Sequence, residues 1–202
     1  QLILITKGAP ESVLPRCKDA RFSRRNKPLS PVLKSINEKF LSLSQHGYRV
    51  LAVAYRTLDS KRSYSAEDET DLTLLGYLVF TDPPKNDALK AIKRLEEMGV
   101  EVKILTGDNE LVAMKICDEL KVPVKRVVCG ADLTQMSSTE IRAAVEETTI
   151  FARITPEQKL DIMKALKKNG HIVGFLGDGV NDAPALYEAD VGISVDTAVD
   201  VA

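Results

Sequence analysis

The chain is predicted to be an α/β protein whose larger, carboxyl-terminal part is a parallel sheet with helices on both faces. Three observations lead there. From Tyr77 onward, short apolar strands alternate with amphipathic helices, a pattern that favours parallel strands joined by helical crossovers. Two of these strands, ending at Thr106 and at Gly177, run into turns of glycine and acid where a helix begins, and in open parallel sheets ligands bind at that end of the strands. Before Gly76 the order is instead strand, helix, loop, helix, strand, linker, strand, which suits part of an antiparallel sheet with helices. The expected division is therefore a first domain of residues 1–76 and a second of residues 77–202.

The elements follow in order. Ser30-Pro31 opens a helix whose Leu33, Ile36, Phe40 and Leu43 recur at helical spacing and form one apolar face, and Gly47 ends it. A strand from Tyr48 to Thr57 follows at once, then a polar surface loop over residues 60–71. The basic stretch 18–27, with Arg21, Arg24 and Arg25, reads as a solvated loop. In the second part, residues 86–98 form a helix with Leu89, Ile92 and Leu95 inward and Gly99 as its stop. Val112, Ile116 and Leu120 mark the next helix, and Ser137 with Glu140 caps another. Strand 149–152, helix 156–169, strand 172–176, a short helix from Ala183 and strand 191–195 complete the series.

The densest chemistry lies in Gly177-Asp178-Gly179-Val180-Asn181-Asp182. The glycines let the backbone turn sharply and approach a ligand, while Asp178 and Asp182 offer the hard oxygens that Mg²⁺ prefers, with Asn181 between them. An ordinary aspartate-rich turn is the plainer reading of the glycines and acids alone. Thr106-Gly107-Asp108-Asn109 ends the other strand, where the Thr106 hydroxyl, nearby backbone N–H groups and the dipole of the next helix suit a phosphate. Thr155-Pro156-Glu157-Gln158 reads as a capped helix start, which leaves Lys159 near a helix entrance. There its charge opposes the dipole, which suggests that it serves an anion, a solvated lysine being the plainer alternative.

Taken together these segments resemble the P-type cation-transporting ATPases of the haloacid dehalogenase-like superfamily. The resemblance rests on Lys7-Gly8-Ala9-Pro10-Glu11, the strand segment Tyr48 to Ala54 with its Arg49, Thr81-Asp82-Pro83-Pro84-Lys85, Thr106-Gly107-Asp108, Arg153, Lys159 and Gly177 to Asp182, in the family's order. Within it, the segments FTDPPK, LTGDNELVA and FARITPEQK are most similar to the bacterial magnesium-transporting branch. The resemblance implies a Rossmann-like phosphorylation domain of the haloacid dehalogenase type beside part of an α+β nucleotide-binding domain. It further implies ATP bound near Lys7, Gly8 and Arg49, Mg²⁺ held by Asp178 and Asp182, and a phosphate bonded by Thr106 and neutralised by Lys159. Asn181 and Asp182 order the ion's surroundings, Asp82, Gly107 and Asp108 shape the hinge and the nucleotide's passage, and Arg153 helps tie the two domains together.

One departure matters: the family's DKTGT segment, whose aspartate accepts the phosphoryl group, does not occur among the 202 residues. We therefore expect an internal piece of a longer transporter. Its partners would be ATP and the rest of that parent, namely the nucleophile strand, the actuator domain and the membrane helices. In the superfamily the nucleophile strand lies between those ending in Thr106 and Gly177, so its absence would bare two inner sheet edges open to self-association. The piece itself is expected to be soluble, at the cytosolic face of the plasma (inner) membrane in its parent. Two other readings stand beside this one: a nucleotide-binding or regulatory module without catalysis, and a soluble haloacid dehalogenase-type phosphatase, which needs an N-terminal DxD strand.

Composition narrows the field further. Lys+Arg at 28 against Asp+Glu at 29 gives a net charge of -1, so no nucleic-acid partner is expected. Apolar runs fall far short of the roughly 20 residues needed to span a bilayer. Cys17, Cys117 and Cys129 form no CxxC pair, and His46 and His171 lack partners at ligand spacing, so reduced thiols and no zinc are expected.

Overall fold

The structure, a computed structural model, describes residues 2–59, 63–81, 83–177 and 182–194. It divides into two compact units, Gln1–Pro83 and Pro84–Ala202.

In the first unit, strands β1 (Leu2–Gly8), β2 (Cys17–Phe22), β3 (Arg25–Pro28), β4 (Arg49–Leu58) and β5 (Leu72–Phe80) form one sheet in the order β1-β4-β5-β2-β3. Helices α1 (Pro10–Val13) and α2 (Leu33–Gln45) belong to the same unit. Alternation along β4 is plain. Val50, Ala52 and Ala54 are buried, and Ala52 and Ala54 join Val13, Leu14, Leu72 and Leu74 in the core, with Leu33 and Ile36 of α2 packed on it.

Two expectations change here. The basic stretch read as a loop is a hairpin, in which β2 pairs antiparallel with β3 around a turn holding Ser23 at φ 53°. The expected boundary at 76/77 also does not coincide with the division into units, because residues 77–80 continue β5 and pair with β4. Gly76, at φ 149°, sits at a register shift inside the strand rather than at its end, and a glycine at a bulge mimics a strand terminus in sequence.

The second unit contains α3 (Ala88–Glu97), β6 (Ile104–Leu105), α4 (Glu110–Glu119), β7 (Val127–Cys129), α5 (Gly130–Gln135), α6 (Ser138–Glu147), β8 (Ile150–Ala152), α7 (Pro156–Lys168), β9 (Gly174–Leu176), α8 (Ala183–Glu188) and β10 (Val191–Ile193). Its parallel strands form two pieces, β6-β8-β7 and β10-β9. Among the described residues, neither β6 nor β9 pairs with a strand on its remaining side. Phe151 of β8 and Phe175 of β9 share one core with Val145, Ile162, Met163 and Leu166 of α6 and α7 and Ala185 of α8. Ile150 and Ala152 point the other way, onto Ala113 and Cys117 of α4. Helices thus cover both faces of the three-stranded piece. The capping boxes at Ser137 with Glu140 and at Thr155 with Gln158 are both formed, whereas β7 and α5 carried no periodicity long enough to read. No helix among the described residues is long and apolar enough to cross a membrane.

Ile162 is fully buried between α7 and the strands. Ile162→Ala should lower the stability of this unit by about 2–5 kcal/mol, read from urea unfolding of Phe151 and Phe175 amide signals by NMR, while Ala52 and Ala54 signals of the first unit keep their midpoint.

Candidate functional site

The candidate site lies at the carboxyl ends of the parallel strands in the second unit. Thr106 follows β6. Its backbone N–H donates to the Phe151 carbonyl at 2.9 Å, which continues the pairing with β8 by one more residue. The Thr106 hydroxyl then accepts the Asp108 N–H at 3.0 Å, closing the turn through Gly107. Asn109 caps α4, its side-chain oxygen accepting from the Leu111 N–H at 2.8 Å.

Arg153 follows β8 in the left-handed region, at φ 53°. Its N–H donates to the Asp108 carbonyl at 2.9 Å, and the next N–H, of Ile154, donates to the Thr106 carbonyl at 3.2 Å. Its Nε donates to Glu110 Oε2 at 2.6 Å, with the two side chains 34% and 30% exposed. Burial works to raise the Glu110 carboxyl, but hydrogen bonding and charge from Arg153 outweigh it and hold the group below its ordinary value. Gly130, at the start of α5, lies so close to the Arg153 carbonyl that a Cβ there would overlap it.

Lys159 sits in the first turns of α7, and its Nζ donates to Asp182 Oδ1 at 2.6 Å, both side chains being 15% exposed. Asp182 occupies the cap position of α8 without bonding its own helix. It rests against Gly177, where a Cβ would come within 2.8 Å of the Asp182 Cβ and 3.1 Å of its Oδ2. Only glycine leaves this carboxylate room at the end of β9. Asp178 and Asn181 lie outside the described residues, as does Asp82. Among the described residues no group of three or more His, Cys, Asp or Glu side chains is gathered as for a metal ion. Burial pushes the Cys17 thiol up to about 11 and raises those of Cys117 and Cys129, so no thiolate competes as a nucleophile near neutral pH.

The first unit places Lys7 and Arg49 on one sheet face and Gly8 on the other. Lys7 is opposite Val53 and Gly8 opposite Ala52. Arg49 opens β4 opposite Phe80. Opposed residues share a face and alternate residues along a strand return to it, so Lys7, Val53, Leu51, Arg49 and Phe80 lie on the side away from the core. Ile5, Leu78 and Phe80 are exposed there, an apolar strip bounded by two cations. Sequence reasoning missed this strip, the Glu110 partner of Arg153 and the close approach at Gly130. The first was masked because residues 2–5 and 50–54 are unbroken apolar runs in which neither face stands out; the other two join residues distant in sequence and left no local signal.

Residues 1–87 match the family described as P-type ATPase, cytoplasmic domain N. Over 201 residues, 98% of this chain, the sequence is 46% identical to the Magnesium-transporting ATPase, P-type 1, of Escherichia coli strain K12, covering 22% of that protein. It is 45% identical over 98% of the chain to the protein of the same name from Salmonella typhimurium strain 14028s, again covering 22%. A Calcium-transporting ATPase of Bacillus subtilis is 39% identical over 98% of the chain and 23% of its own length. The chain thus spans under a quarter of the length of these curated relatives.

Two outcomes are expected. Asp182→Ala strands a nearly buried ammonium and should cost about 3–5 kcal/mol, whereas replacing Lys159 and Asp182 together by Met and Leu should cost markedly less; equal losses in urea melts would show that the pair is not coupled. Because the folded-state value of Glu110 is depressed from 4.5, its contribution is present above pH 4.5 and is lost as pH falls through the folded value. Glu110→Gln should therefore flatten the acid limb of the stability profile below about pH 4.5 and lower the plateau near pH 7.

Proposed function

We propose that this P-type ATPase chain supplies the cytosolic nucleotide-binding and phosphorylation machinery of an ATP-driven cation transporter of the magnesium-transporting branch, a reading supported by its similarity to the domain N family and to magnesium-transporting relatives. The observation that carries the reading is the Lys159 to Asp182 ion pair beside Gly177, a nearly buried cation and carboxylate fixed at the carboxyl ends of parallel strands.

In this reading residues 84–202 form a phosphorylation domain of the haloacid dehalogenase type, and the first unit is part of an α+β nucleotide-binding domain. Lys7 and Arg49 draw the ATP phosphates, Gly8 lets the backbone come close, and the apolar strip of Leu51, Leu78 and Phe80 takes the base. Thr106 and the Gly107 N–H bond a phosphate oxygen, Lys159 offsets charge on the transferred group, and Asp82, Asp108 and Arg153 guide the nucleotide. Phosphoryl transfer is chiefly positioning and charge stabilisation: the bond from the γ-phosphorus to its bridging oxygen breaks, a bond to an aspartate carboxylate oxygen forms, and ADP leaves. That aspartate is not among these 202 residues.

The residues present suit Mg²⁺. The Gly177 cradle keeps the second Asp182 oxygen, Oδ2, at the strand end, and Asp178 and Asn181 add hard donors within four residues. When bound, the ion neutralises phosphate charge. In this reading the nucleophile strand would sit against the edges of β6 and β9, which pair with no further strand among the described residues, and through the same edges this piece would self-associate. The parent acts at the cytosolic face of the plasma (inner) membrane, with its membrane helices and actuator domain as partners.

Two measurements test this. ATP titrated into the chain should shift the Lys7 and Gly8 amides, and Lys7→Ala should weaken that binding about tenfold, in line with loss of one charge-assisted contact; unmoved amides at millimolar ATP would sink the nucleotide assignment. With [γ-³²P]ATP and Mg²⁺ the chain alone should give no acid-stable label, and should label once an upstream DKTGT-containing segment is supplied. Label on the chain alone would place the acceptor among these residues and overturn the mechanism.

A further inference from the structure

Glu110 has no part in the reading above, yet it is held at two points. It is the first residue of α4, where the helix dipole favours its charge. A hydrogen bond of 2.6 Å ties it to Arg153 Nε across 43 residues of sequence. The backbone of Arg153 is fixed independently. Its left-handed turn is held by the bond from its N–H to the Asp108 carbonyl, by the bond from the Ile154 N–H to the Thr106 carbonyl, and by the Gly130 contact behind it. The backbone therefore sets where the Arg153 side chain starts, and Glu110 sets where its guanidinium ends.

Geometry alone separates this from a surface ion pair. Surface pairs join flexible side chains and contribute little. Here both partners spring from residues adjoining the Thr106-Gly107-Asp108 turn, one two positions after Asp108 and the other bonded to Asp108 through its backbone.

We infer that Glu110 is a positioning residue, which orients the Arg153 guanidinium at the rim formed by the β6 and β8 turns so that it meets the phosphates of a nucleotide bound there. The inference rests on the proposed nucleotide function and adds to it a residue that acts only through another. Glu110 touches no substrate in this account. Removing its charge loosens the guanidinium and weakens nucleotide binding, while the strand and helix framework stays in place.

The test uses the whole chain, with ATP as the probe and NMR as the readout. The Arg153 Nε–H signal should be protected from exchange in the unmodified chain and lose that protection in Glu110→Gln, with Glu110→Asp intermediate. Glu110→Gln should weaken the ATP titration read at the Gly107 amide about fivefold, the size of one partly exposed charge contact. Arg153→Lys should do the same, and the double variant should add nothing, since one residue acts through the other. Additive losses, or an unchanged titration in Glu110→Gln, would overturn the inference even if the chain binds ATP well. If the unmodified chain shows no ATP response at Lys7, Gly8 or Gly107, the nucleotide function itself fails and this role falls with it, an outcome told apart by the silent unmodified chain. A circular-dichroism melt of each variant checks that the fold is retained; Glu110→Asp serves if Glu110→Gln fails to fold.

Discussion

Arg153 occupies a backbone conformation that costs a long side chain on the order of 1 kcal/mol, and much of the second unit is arranged around that turn. The left-handed step lets two successive N–H groups, of Arg153 and Ile154, reach the Asp108 and Thr106 carbonyls. The ends of β6 and β8 are thereby locked to each other beyond their own pairing. The same step swings the Arg153 carbonyl against α5, so Gly130 has to be glycine. It also delivers Thr155 to the cap of α7, whose capping box with Gln158 fixes where Lys159 emerges. The Gln158 amide in turn donates to the Gly130 carbonyl at 2.7 Å, closing the loop of constraints. One strained residue thus sets the relative placement of the Thr106 turn, the ion-pair lysine and the close approach.

Packing supports this arrangement from one side more than from the other. Phe151, Ile162 and Met163 fill the core beneath α6, α7 and α8 and join the two parallel pieces. On the opposite face α4 covers the three-stranded piece through Ala113 and Cys117, but Ile172, Leu176, Val191 and Ile193 around β9 and β10 are left exposed. Apolar area left in water forgoes roughly 25 cal/mol per Å². The β9–β10 piece, which carries Gly177, therefore depends on Phe175 and on α8 for its attachment, and the glycine turn stands on the less supported half of the unit.

How much of this could be read from sequence depends on the range of each interaction. The caps at Ser137 and Thr155 were legible because a capping box closes within four residues. The helix stops at Gly47 and Gly99 were legible because both glycines take positive φ. The β2–β3 hairpin was hidden, since its turn has neither Asn nor Gly and β3 is exposed at every residue, leaving no alternation to detect. The continuation of β5 past Gly76 was misread because the same residue type serves a bulge and a terminus. At the site, residue types and order announced Thr106, Lys159 and Asp182. The pairing of Arg153 with Glu110, and the reason for Gly130, exist only once strands distant in sequence are side by side.

The ion pair between Lys159 and Asp182 shows why such sites stand out against local rules. A lysine in the first turns of a helix works against the dipole, and an aspartate at a cap position ordinarily bonds its own helix. Each residue breaks the rule for its position, and each answers the other: the carboxylate that fails to cap α8 neutralises the cation that burdens α7. Stability alone gives no reason for the exchange, because an apolar pair at 15% exposure would serve the packing at least as well. Two local violations that cancel only across 23 residues of sequence are the mark of side chains kept for their charge. Under the proposed function, a nearly buried ammonium beside a carboxylate at the open end of a parallel sheet would serve a phosphate and its metal ion, which is a reason for the charge that packing does not supply.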